Sequence, residues 1–123
     1  METKKRVELL APAGNMEKLK TAFHFGADAC FVGGSAFNLR GMSSNFKNKE
    51  LKEAVDYVHS LGKKIYVTLN IFAHNTEIEY MPRFIKKLDE FGVDAVIVAD
   101  LGVFQMVRQH APNMKIHVST QAN

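Results

Sequence analysis

His117, Ser119 and Gln121 alternate with the apolar Ile116 and Val118, and Tyr66, Thr68 and Asn70 alternate in the same way with Ile65, Val67 and Leu69. Residues two apart on a strand share a face, so each segment carries a polar ladder on one side and an aliphatic row on the other. Polar ladders of this kind suit Asn70 and Gln121 to line a ligand site, the alternative being a hydrogen-bonded structural network. His117, Ser119 and Asp100 invite a hydrolytic triad, but residues two apart on one strand hold their side chains about 6–7 Å from each other. That is beyond direct proton transfer, and Asp100 has a sufficient role as a helix cap. No catalytic residue is therefore assigned. His74 sits on the loop after the third strand and can serve as acid, base or metal ligand, although an exposed loop histidine with no such role is the more common case. His24, His59 and His110 fall on helices and read as surface or packing residues, and Cys30, set among apolar neighbours, reads as a buried, inert thiol.

Such residues need a frame. Five β-branched apolar runs read as strands: Val7 to Ala11, Ala29 to Gly33, Ile65 to Asn70, Ala95 to Ala99 and Ile116 to Thr120. In parallel α/β folds ligands bind at the loops after the carboxyl ends of strands. After the first strand stands Ala11-Pro12-Ala13-Gly14-Asn15. After the second comes a long loop from Gly33-Gly34 through Asn38, Arg40, Asn45 and Phe46, of a length that is usually functional or mobile. Arg40 can grip a carboxylate or phosphate with two hydrogen bonds, and Gly33-Gly34 leave backbone amides open to an anion, or simply form a turn. The ligand-binding candidates are thus Asn15, Asn38, Arg40, Asn45, Asn70, His74, Ser119 and Gln121.

Four helices separate the strands. Asn15 caps the first, which buries Met16, Leu19, Ala22 and Phe23 and stops at Gly26. Asn48 caps the second, with Glu50 in its first turn, Leu51, Val55 and Val58 buried, and Gly62 past its end. Thr76 and Glu79 have capping-box spacing, but Pro82 would then lie in a helix interior at a cost of about 3 kcal/mol. The third helix is therefore expected to begin near Met81 and run to Gly92 with Phe84, Ile85 and Leu88 buried. Asp100 caps the fourth, which buries Val103, Phe104, Met106 and Val107 and ends before Pro112. Phe25-Gly26-Ala27-Asp28-Ala29 and Phe91-Gly92-Val93-Asp94-Ala95 look like one helix-to-strand junction used twice.

Near-continuous apolar strands separated by helices predict a parallel sheet with right-handed crossovers. A doubly wound receiver-type sheet has this size but needs acidic residues after the first strand, an aspartate after the third and a lysine after the fifth. Pro12-Ala13-Gly14, Asn70 and Gln121 occupy those places. What fits is a partial (β/α)8 TIM-type barrel in the order βαβαβαβαβ. A whole barrel takes about 250 residues, so residues 7–123 are expected to be the N-terminal half-barrel of a longer protein, preceded by a basic tail at 1–6. The two outer strands are open edges that favour self-association.

Composition narrows the classes further. At 46% hydrophobic and 24% charged, 123 residues describe a folded domain, and the net charge of +3 neither demands nor excludes nucleic acid. A single cysteine rules out an internal disulfide or a metal centre built mainly from this chain's own thiolates. Lys4, Lys5 and Arg6 open the chain, but the apolar stretch behind them is short and interrupted by Glu8 and Pro12, so neither an export signal nor a membrane span is expected. A cytoplasmic location is the expectation.

Glu8-Leu9-Leu10-Ala11-Pro12-Ala13-Gly14-Asn15, Gly26-Ala27-Asp28-Ala29, the Asn38 to Phe46 loop, Val67-Thr68-Leu69-Asn70, Asp100-Leu101-Gly102 and His117-Val118-Ser119-Thr120-Gln121-Ala122-Asn123 together resemble, in order and over nearly the whole chain, the N-terminal part of the collagenase-like peptidase family U32. The sequence is similar in particular to bacterial members linked to hydroxylation of a wobble uridine in tRNA. The resemblance implies a peptidase or an RNA-modifying enzyme, with tRNA or a peptide as substrate. Other members are tied to prephenate-dependent or oxygen-independent hydroxylation of RNA or quinone precursors. The resemblance also implies an iron–sulfur cluster on cysteines further along the family's chain; Cys30 is not part of that motif, so no cofactor is expected on this segment. Two readings are carried forward: the barrel segment of a U32 enzyme acting in proteolysis or, at full length, in tRNA modification, or a non-catalytic half-barrel that binds RNA or a carboxylate or phosphate ligand.

Overall fold

The computed structural model describes residues 8–33, 45–69 and 75–119, with only the backbone of 45–49 and 75–80. Strands and helices alternate: β1 (Leu10–Pro12), α1 (Met16–His24), β2 (Ala29–Val32), α2 (Asn45–Ser60), β3 (Lys64–Leu69), α3 (Asn75–Phe91), β4 (Ala95–Val98), α4 (Leu101–His110) and β5 (Ile116–Val118). The strands pair in parallel in the order β1-β2-β3-β4-β5. Consecutive strands lying side by side, each returned by a helix, make the arc of a (β/α) barrel.

One face of this arc meets the helices. Cys30, Val32, Ile65, Val67, Leu69, Val96 and Val98 pack there against Leu19, Leu51, Val55, Val58, Ile85, Leu88, Val103 and Val107, all at most 2% exposed. Each such side chain contributes about 1.5–3 kcal/mol on leaving water, so this layer dominates the fold. Met16, Ala22, Phe104 and Met106, expected in the core, are only half-buried at its margin.

The expected elements are all present, with shifted ends. Strand one was expected from Val7, but Glu8 and Leu9 lie outside β1. The Leu9 amide is taken by the Asp28 carboxylate, not by a ladder partner. The ladders also stop short of Gly33 and Ala99, while β3 gains Lys64 at its start. Val7, Asn70 and Thr120 lie outside the described residues, as do residues 1–6 of the expected tail.

Two helix starts are corrected. Asn48 does not cap α2, because the helix already begins at Asn45 and Glu50 falls beyond its first turn. No Gly or Pro stands between Asn45 and Asn48 to hold the turn back. The third helix begins at Asn75, not near Met81, and Pro82 lies inside it. Proline has no N–H for the Ile78 carbonyl one turn back, a loss of about 3 kcal/mol. The helix is nonetheless continuous through Pro82, with Met81, Phe84, Ile85 and Leu88 buried along it.

The other termini follow their caps. Asn15 accepts from the Lys18 amide at 2.8 Å and Asp100 from the Val103 amide at 3.1 Å, each satisfying an orphan donor of a first turn. Gly26, Gly62 and Gly92 sit at φ of 103, 72 and 84°. In each case the next residue's amide reaches back to a carbonyl five residues earlier: Ala27 to Ala22, Lys63 to Val58 and Val93 to Leu88. Glycine is the residue that takes this left-handed turn without a Cβ penalty.

Candidate functional site in the barrel lumen

The strand residues that alternate with the helix-facing row point into the barrel. Ala29, Tyr66 and Ala95 form a small separate cluster there, with Phe31 and Ile97 packed against it. Register places Pro12, Phe31, Tyr66 and Ala95 in one row across β1 to β4, and pairs Ile97 with His117 on β5. Because Ala95 carries only a methyl group, Tyr66 and His117 meet, ring centroids 5.2 Å apart and planes inclined at 57°. The polar ladders of β3 and β5 thus face one another, and one rung of each makes contact.

Tyr66 is fixed at its other end as well. Its hydroxyl donates to the Glu8 carboxylate, 3.1 and 3.2 Å from the two oxygens. Burial, then the hydrogen bond to Glu8, then the charges of Glu8 and Asp94 push the Tyr66 hydroxyl up to about 12. Nε2 of His117 is buried and has no hydrogen-bond partner among the described residues. A buried polar group without a partner costs about 1–3 kcal/mol, so this nitrogen is an unmet bonding capacity inside the lumen. Ser119, one rung further toward the carboxyl end, donates its amide to the Val98 carbonyl at 2.7 Å.

Among the sequence candidates, Asn15 spends its side-chain oxygen on the cap of α1. Ser119 stands on the same strand face as His117, and Asp100 is held at the start of α4, so no triad assembles. Asn45 is the first residue of α2, its side chain outside the described residues. Asn38, Arg40, Asn70, His74, Gln121 and Gly34 also lie outside them. Glu8 was missed as a functional candidate: 58 positions separate it from Tyr66, and no local pattern links them.

Cys30 is fully buried and its thiol is pushed up to about 11 by burial. Among the described residues no group of three or more His, Cys, Asp or Glu could hold a metal ion. No helix among them is long and apolar enough to cross a membrane.

Comparison with known proteins matches the family model "Peptidase family U32" to residues 14–123. Tested against curated proteins, the chain is 48% identical over 117 residues to tRNA hydroxylation protein P1 of Bacillus subtilis, covering 95% of this chain and 28% of that one. It is 41% identical over 116 residues to tRNA hydroxylation protein P of Escherichia coli, covering 94% and 26%. With the 23S rRNA 5-hydroxycytidine C2501 synthase of Escherichia coli it shares 40% over 118 residues, covering 96% and 18%. The chain therefore spans little more than a quarter of the first relatives' length. Among solved structures, the HMG-CoA lyase of Bacillus subtilis superposes with a TM-score of 0.67 at 17% identity, over 96% of this chain and 46% of the lyase. That likeness speaks for the partial barrel alone.

Proposed function

Because the chain belongs to peptidase family U32, we propose that it is the amino-terminal barrel segment of a protein that takes part in hydroxylation of RNA, with a tRNA wobble uridine as the target. The observation that carries this reading is the 48% identity, over 95% of the chain, to tRNA hydroxylation protein P1. A second hydroxylation protein, acting by its name on a cytidine of 23S rRNA, matches over nearly the same span. Both names describe hydroxylation of RNA, so a barrel segment shared between them suits a common task. The location that follows from RNA modification is the cytoplasm.

Proteolysis is the family's label, and the lumen gives it little support. Ser119 and His117 sit on one strand face, Asp100 caps α4, and Cys30 is buried with its thiol protonated. The experiment is deletion of the gene encoding this chain, followed by mass spectrometry of nucleosides from bulk tRNA. Loss of a hydroxylated uridine, restored by the wild-type gene, is the expected result. Unchanged tRNA together with peptide cleavage by the purified protein would overturn the proposal.

A further inference from the structure

The junction that the sequence uses twice is covered in one place and bare in the other. At residues 91–95 the stop of α3 lies against α2: a Cβ on Gly92 would come 3.7 Å from the His59 ring, and His59 meets Asp94 at 2.9 Å. Phe91 packs against the core there. Ile65, whose amide Asp94 holds, is fully buried in one cluster with Val55 and Val58 of α2. At residues 25–29 the corresponding side chains are open. Phe25 is 78% exposed, with the ring of His24 beside it, and Leu9, whose amide Asp28 holds, is 54% exposed. A Cβ on Gly26 would meet no other part of the described fold within 4 Å.

Two large apolar side chains exposed together, where a helix covers their counterparts, mark a docking surface. We propose that Phe25 and Leu9 receive a further helix of the same polypeptide, lying beside α1 as α2 lies beside α3. The internal comparison chooses this occupant. The element that corresponds to α2 stands one helix before α1 around the barrel, and in a (β/α)8 barrel that is the helix returning the chain to the border of β1. This chain covers 28% of tRNA hydroxylation protein P1 and 46% of the superposed lyase, so proteins of this kind have the length to supply it. The occupant is an amphipathic helix parallel to α1. Its last turns carry aliphatic side chains where α2 has Val55 and Val58.

The test places the photoreactive analogue p-benzoylphenylalanine at position 25 in the protein made from the complete gene, followed by irradiation, digestion and mass spectrometry. The expected product joins the α1 peptide to a peptide from beyond residue 123 of the same polypeptide. A crosslink between two copies, or none to any peptide beyond residue 123, overturns the proposal. Should that protein fail to fold, Phe25→Ser is compared with wild type by thermal unfolding. At 78% exposure the ring has little to lose within the described segment, so a lower melting temperature reports the docked helix. A drop of equal size at low and high protein concentration supports a helix of the same chain. An unchanged melting temperature, or a drop confined to high concentration as for a dimer, overturns it. Neither readout involves RNA, so failure here leaves the hydroxylation reading to the nucleoside assay.

Discussion

Residues 25–29 and 91–95 carry nearly the same sequence and fold nearly alike, yet they hold different parts of the barrel. In both, a left-handed glycine ends a helix and an aspartate two residues later accepts a backbone amide of a neighbouring segment at 2.8 Å, Leu9 just ahead of β1 for Asp28 and Ile65 in β3 for Asp94. Leu9 is 54% exposed beside the outer strand, whereas Ile65 is fully buried in the middle of the sheet. The carboxylates run the other way, the Asp28 side chain being 17% exposed and that of Asp94 27%. What the amide would lose, more than how deep the acid lies, sets the value of each junction. Asp94 also meets Nε2 of His59 at 2.9 Å, joining α2 to β4, while Asp28 has Lys63 at 3.8 Å.

The sharpest test is therefore a pair of substitutions. Asp94→Ala strands the buried Ile65 amide and is expected to cost about 2–3 kcal/mol, against about 1 kcal/mol for Asp28→Ala, whose Leu9 amide can turn to water. Urea denaturation of the two variants measures both, and equal costs would refute the ranking by amide burial. Gly26→Ala and Gly92→Ala probe what the junctions share. Each forces a Cβ into positive φ with no close clash, so each should lose about 1 kcal/mol, and a gap between them would show that the turns themselves are unequal.

The smallest effect is electrostatic. Tyr66 keeps its proton more tightly when folded, about 12 against the ordinary 10. Its contribution to stability is therefore complete below pH 10 and is lost as pH rises through 12. Asp94 is among the charges that raise this value, and Asp28 is not. Asp94→Asn should thus move the phenolate titration of Tyr66 slightly downward in an ultraviolet pH titration, and Asp28→Asn should leave it in place.

The repeated junction was legible because glycine, aspartate and alanine occupy fixed places in it. The order of strands and helices was legible for a related reason: strands buried on both faces read as apolar runs between capped helices. What each aspartate grips was not, since Asp28 and Leu9 are 19 positions apart and Asp94 and His59 are 35 apart. Pro82 misled for a physical reason. Local propensity disfavours a proline inside a helix, yet α3 runs through it. In the lumen, alternation identified Tyr66 and His117 as facing residues, but their contact depends on the small Ala95 lying between them, and the bond to Glu8 on chain reversal over 58 positions.

Pro12 carries a consequence for how this sheet can grow. The Leu9 carbonyl accepts from Ala29 and the Ala13 amide donates to Phe31, so odd-numbered residues of β1 bond inward and Leu10 and Pro12 turn their backbone groups outward. With no N–H at Pro12, a sixth strand approaching from that side finds a donor at Leu10 and none at the next outward position. In a closed (β/α)8 barrel this border faces the last strand, which would meet a donor at Leu10 and none at Pro12.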